Sequence, residues 1–189
     1  MIPQLLLLTG APASGKTQLA RRLLERYGAC GCSKDEIKEL LFDHLGERDA
    51  AWSGRLSDAS FALLFAFAPR LLSGRRLLVM EGNFRSGEHE LALAAVLGQS
   101  EAELAQILCR AEDATRAARL ADRGTHSGRH PGHRDQDLPM SAHRRSDFLD
   151  LPGPRWVFSS DGEGDEEWQR LCGLIDRWHG EPPPPVHKQ

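Results

Sequence analysis

Residues Gly10-Ala11-Pro12-Ala13-Ser14-Gly15-Lys16-Thr17 satisfy every fixed position of G-x-x-x-x-G-K-[ST], and the flanking residues decide what that pattern can be. An apolar run, Ile2 to Leu8, leads straight into it. Behind it Leu19, Ala20, Leu23, Leu24 and Tyr27 recur with helical spacing. Strand, glycine loop and helix in that order set a helix N-terminus at the loop, where backbone N–H groups and the helix dipole attract anions. Gly10 and Gly15 let the backbone curl until successive amides face inward. Lys16 can then reach the outer phosphates of a nucleoside triphosphate, and the Thr17 hydroxyl can meet Mg²⁺. ATP and Mg²⁺ are the expected cofactors.

A length of 189 residues suits one domain with a full core, expected over residues 1–180, with a disordered Pro-rich tail over 181–189. The net charge of -3 argues against a general nucleic-acid binder. The apolar N-terminal run is too short for a membrane span or a secretory leader, so no membrane partner is expected and the cytoplasm is the expected location. Cys30, Cys32, Cys109 and Cys172 form no C-x-x-C pair and read as reduced packing residues.

Strand-like and helical segments alternate along the chain, which predicts a three-layer α/β fold: a five-stranded, mainly parallel sheet with helices on both faces. The expected strands are Gln4 to Thr9, Ala29 to Ser33, Arg76 to Glu81, Leu104 to Arg110 and Arg155 to Ser159. The expected helices are Lys16 to Tyr27, Lys34 to Leu45, Leu56 to Leu72, Glu88 to Leu97, Ala111 to Arg123, Ser141 to Leu149 and Asp165 to His179. Leu56 to Leu72 is apolar nearly all round and is expected to be deeply packed, with Pro69 kinking or ending it. In the last helix Trp168, Leu171, Cys172, Ile175 and Trp178 share a core-facing side. Gly124 to Asp137 carries no apolar side chain but proline; basic and glycine-rich, it reads as a mobile lid over phosphates.

In parallel sheets ligand-contacting groups gather at the carboxyl ends of strands. There the second strand is followed by Asp35 and Lys38, three apart and on one helix face, with Ile37, Leu40 and Leu41 expected to turn to the core. Asp35 could accept the proton of an attacking hydroxyl, or merely cap the helix. The third strand should lie beside the first and end at Glu81 near the triphosphate, where an acidic group can hold Mg²⁺ through water or orient the acceptor substrate. Gly82 then gives clearance, and Asn83 and Arg85 can face the substrate. Arg116, Arg119 and Arg123 form a stripe on the helix entering the lid, and with Arg129 they match the charge on a transferring phosphoryl group. His126, His130 and His133, with His143 as a further candidate ligand, have spacings that could ligate zinc. A lid would instead use histidine, His130 above all, as a phosphate or substrate donor.

These motifs resemble those of compact P-loop kinases: the 5′-kinase domain of phage-type polynucleotide kinase, the zeta toxins and chloramphenicol phosphotransferase. The likeness runs from Leu5 to about Trp178. It implies that Asp35 is the general base and that Lys38 stands where polynucleotide kinase has an arginine. Glu81-Gly82-Asn83 resembles the family's acidic strand end, and Arg119 to Gly124 its R-x-x-x-R-G lid. The resemblance implies an ATP- and Mg-dependent kinase acting on a hydroxyl of an unidentified small molecule. The alternatives are a polynucleotide 5′-hydroxyl kinase, or an ATP-binding, toxin-like regulator with little transfer activity. The acceptor pocket is expected between Phe42 to Ser60 and Phe84 to Glu88.

Overall fold

Four consecutive leucines, Leu5 to Leu8, leave a strand with no polar face, so that strand must be covered on both sides. In a computed structural model of the chain it is the central strand of a five-stranded sheet. The structure describes residues 2–46, 48–74, 77–125, 130, 146–161 and 165–180. Strand β1 (Gln4–Gly10) leads through the glycine loop into helix α1 (Lys16–Tyr27). Then follow β2 (Cys30–Ser33), α2 (Lys34–Leu45), α3 (Ala50–Ser73), β3 (Leu77–Glu81), α4 (Glu90–Ser100), β4 (Glu103–Arg110), α5 (Asp113–Thr125), β5 (Arg155–Ser159) and α6 (Glu166–His179). The sheet order is β2-β3-β1-β4-β5, and its four strand pairings are all parallel.

Alternate residues of each central strand feed opposite cores. Leu6, Leu8, Val79 and Ile107 pack beneath α1 and α6, together with Leu19, Leu23, Trp168, Leu171 and Ile175. Leu5, Leu7, Leu78 and Met80 pack beneath α3 and α4, together with Phe61, Leu64, Leu72, Leu93 and Val96. The three expected layers are present. All four cysteines are free thiols: Cys109 and Cys172 are buried in the first core, while Cys30 and Cys32 flank the second.

Three expectations about elements give way to tertiary context. Of the two outcomes expected at Pro69, the helix does not end there: α3 continues to Ser73. Burial of Ala68 and Leu72 around the proline offsets its missing backbone donor. Nor is α3 packed all round: Leu56, Phe61, Leu64 and Leu72 face the sheet while Phe67 is exposed, because a helix in an outer layer has one wall to lean on. It is long and apolar enough to cross a membrane by length and composition, yet its sheet-facing stripe is core. Second, Ser146 to Leu149 is not helical. The buried Gln106 on β4 holds the Leu149 backbone at both ends, accepting from its N–H at 2.9 Å and donating to its carbonyl at 3.1 Å. Third, α2 turns Lys34 and Lys38 inward and leaves Leu40 exposed; Ile37 is only partly buried. Its rotation is set at its start, where Ser33 caps the helix directly at the end of β2.

Candidate active site

The glycine loop is shaped by close approaches that side chains would block. A Cβ on Gly10 would stand 2.5 Å from the Cys109 carbonyl oxygen and 2.6 Å from Ser14 Oγ. Gly15 sits at φ +87°, a left-handed conformation that suits glycine, and directly precedes α1. Ala13 is also left-handed, at φ 61°, so the loop is held curled even where the residue is not glycine. Glycine has no side chain to cap α1, which leaves the helix's first amides for an anion. Lys16 is buried, and its Nζ donates to the carbonyls of Gly10 and Ala11, both at 3.0 Å.

Because β3 lies beside β1, in register Leu8 with Glu81, the carboxylate of Glu81 arrives at the mouth of the loop. Thr17 Oγ1 donates to Glu81 Oε1 at 2.9 Å. Glu81 is 4% exposed, and burial raises its proton affinity above that of an ordinary carboxylate, opposed by the nearby Lys16 ammonium and the Thr17 hydrogen bond. A cleft of about 140 Å³, lined in part by Arg21, Leu24, Gly31 and Glu36, opens beside this pair.

Two arginines of the predicted stripe reach the loop from α5. Arg116 Nε donates to the Pro12 carbonyl at 3.1 Å, and Arg119 Nη1 to the Ala13 carbonyl at 3.2 Å. Arg119 also donates to Ser160 Oγ (2.7 Å) and to the Ser160 carbonyl (2.8 Å), just past β5. Arg116 Nη2 is buried with no acceptor among the described residues. Spacing marks Arg116 only as part of the stripe; its direct grip on the loop is a tertiary fact. Arg123 lies in α5, but its side chain, like Arg129, His126, His133 and His143, falls outside the described residues. So does most of the lid expected over 124–137.

At the end of β2 the helix cap is Ser33, whose Oγ accepts from the Asp35 amide at 3.3 Å. The Asp35 side chain therefore does not serve as that cap; it is about half exposed and accepts from Lys34 Nζ at 3.1 Å. Lys38 is buried and donates to Ser53 Oγ of α3 at 2.9 Å. Gly82 supplies the expected clearance: a Cβ there would be 3.3 Å from Lys34 Cβ and 3.2 Å from the Phe84 ring. Asn83 Oδ1 is buried without a partner among the described residues. Arg85 pairs with Glu88 at 3.0 Å, both side chains about half exposed. His130 meets Asp43 Oδ1 at 2.9 Å and packs edge-on against Phe42, one turn along α2 from Lys38. Among the described residues no cluster of three histidine, cysteine or acidic side chains could hold a metal; three of the histidines of the zinc alternative, His126, His133 and His143, lie outside the described residues.

Backbone amides, a lysine and an arginine with an unpaired buried donor fit a polyphosphate, and the paired oxygens of Thr17 and Glu81 fit a hard divalent cation such as Mg²⁺. The fold agrees. A provisionally assigned kinase from Chloroflexus aurantiacus J-10-fl is 29% identical, matched over 95% of this chain and 99% of that one, with a TM-score of 0.84. At 19% identity the Mycobacterium tuberculosis APS kinase CysC, solved with AMPPNP and APS, shares the fold over 93% of this chain and 98% of its own, with a TM-score of 0.57. A sugar kinase from Janibacter sp. HTCC2649 does so at 9% identity over 92% and 95%, with a TM-score of 0.63. No curated protein matches the chain. The AAA domain family (AAA_33) matches residues 5–146, and the chain belongs to that family, with the fold of the small P-loop kinases.

Proposed function

We propose that this protein is an ATP- and Mg²⁺-dependent phosphotransferase that phosphorylates a hydroxyl group of a small molecule. The observation that carries the reading is the meeting of Thr17 with Glu81 at the mouth of the glycine loop, with Asp35 at the neighbouring strand end. The amides of residues 10–17, Lys16, Arg116 and Arg119 bind and orient the triphosphate. Magnesium, held by Thr17 and Glu81, would neutralise charge on the phosphate oxygens. Asp35 takes the proton of the acceptor hydroxyl as its oxygen bonds to the γ-phosphorus. The bond from that phosphorus to the bridging oxygen breaks, and ADP leaves with the electron pair. A switch that only binds nucleotide needs neither Asp35 nor arginines on the loop, which favours transfer over regulation.

Asp35→Asn tests the reading, because it keeps the side chain's shape and leaves the Ser33 cap in place. We expect ATP affinity to stay within a few-fold while transfer falls by roughly 10²- to 10⁴-fold. Measured by calorimetry and by phosphoryl-transfer assay, full transfer with only a lower melting temperature would remove Asp35 from the chemistry.

A further inference from the structure

His89 stands in an aromatic box. Its ring centre lies 4.2 Å from that of Phe61, 5.9 Å from Phe65 and 6.0 Å from Phe84, and the residue is 9% exposed. A fourth phenylalanine would fill such a place without burying polar nitrogens. What imidazole adds is a lone pair: Nδ1 accepts from the Arg85 amide at 2.8 Å. An amide can only donate, so Nδ1 is unprotonated and the neutral ring carries its hydrogen on Nε2. His89 directly precedes α4, yet its side chain caps none of that helix's amides. It is turned back onto the segment that follows Glu81.

That segment joins the two halves of the site. The Gly82 amide donates to the Leu8 carbonyl at 3.1 Å, and the buried Thr9 hydroxyl donates to the Phe84 carbonyl at 3.2 Å. Leu8 and Thr9 directly precede Gly10, so the turn is seated on the strand that delivers the glycine loop. On its other side Gly82 lies against the stem of Lys34, next to Asp35. The amides of Glu88 and His89 both donate to the Arg85 carbonyl at 3.3 Å, which closes the turn on itself. Burial lowers the proton affinity of the His89 ring below the ordinary histidine value of 6.5, which favours the neutral form that the Arg85 contact requires. The charged groups around the ring are Arg85, Glu88 and Glu90 from the turn and α4. From α2, Lys34 Nζ stands 5.7 Å from the centre of the Phe61 ring on which His89 packs, and α3 presents the Phe61 and Phe65 rings.

We propose that His89 is a positioning residue for the acceptor side of the site: by accepting from the Arg85 amide it fixes residues 82–88 against the end of β1, and it does so only while its ring is neutral. This rests on the kinase reading and adds to it a proton-sensitive support for the turn between Glu81 and α4. Once a proton occupies Nδ1, ring and amide face each other as two donors and the turn is released.

The contact is tested without a ligand, by amide exchange on the full chain. At neutral pH the Arg85 amide should be protected in wild type and in His89→Asn, whose side-chain oxygen can take the place of Nδ1. In His89→Phe, which keeps the ring contacts, it should be about tenfold less protected. Over roughly two pH units below the ordinary histidine value, the protection factor should fall in wild type and hold in His89→Asn. Equal protection in wild type and His89→Phe, or a wild-type factor that runs parallel to that of His89→Asn across this range, overturns the proposal. Kinetics then test the link to the acceptor, using whichever of glycerol, glucose, glycerate and adenosine the wild type phosphorylates fastest. His89→Phe should raise the KM for that compound about tenfold at unchanged KM for ATP, and His89→Asn should stay close to wild type. An equal rise in both KM values, or a rise in neither, removes His89 from acceptor positioning. A chain that does not bind Mg·AMPPNP brings down the kinase reading, and the acceptor role with it, while the exchange result still stands or falls by itself.

Discussion

Glu81 is held where a carboxylate is least comfortable, buried beside Thr17 at the end of a central strand. Its folded-state proton affinity is raised, chiefly by burial. The protonated form therefore stabilises the fold below the ordinary carboxylate value of 4.5, and that contribution is lost as pH rises through the elevated folded value. Glu81→Gln cannot titrate. Without Mg²⁺, melting temperatures recorded against pH should show wild type losing stability relative to the variant as pH climbs above about 4.5. The same variant should need far more Mg²⁺ for turnover. Parallel melting curves for the two proteins across that range would mean that Glu81 carries no such strain.

At the scale of elements, α5 acts on the glycine loop through its arginines. Arg119 bridges the Ala13 carbonyl to Ser160, so one side chain ties the loop to the end of β5. Hydrogen bonds from a charged donor contribute about 1.5–3 kcal/mol each, so Arg119→Ala should weaken Mg·AMPPNP binding by roughly 10- to 100-fold in calorimetric titration. Affinity equal to wild type would reduce the bridge to a surface contact. The spacing of Arg116 and Arg119 was readable in advance; their target was not, because Pro12 and Ala13 lie more than a hundred residues away in sequence.

Across the whole molecule the sheet separates two cores, one beneath α1 and α6 and the other beneath α3 and α4. Leu171 of α6 is fully buried there. Leu171→Ala should cost about 2–5 kcal/mol, read as a lower denaturation midpoint at unchanged m-value. ATP turnover per folded molecule should be preserved. A variant that keeps its stability but loses activity would mean that this core shapes the site directly.

Local pattern determined the glycine loop, the alternation of strands and helices, and the placement of Asp35 and Glu81 at strand ends. Each follows from short-range rules: the left-handed φ at Gly15, periodicities of two and 3.6 residues, and chain order around a parallel sheet. Tertiary structure decided the rest. The inward turn of Lys34 and Lys38 contradicts the apolar pattern of α2, because the helix takes its rotation from its start at β2 and from the serines of α3. The non-helical course of Ser146 to Leu149 goes with a buried glutamine that holds the Leu149 backbone from 43 residues away. Periodicity reports which side chains prefer the interior. Which of them reach it, and which cations are carried in with them, depends on partners that only the folded chain brings into contact.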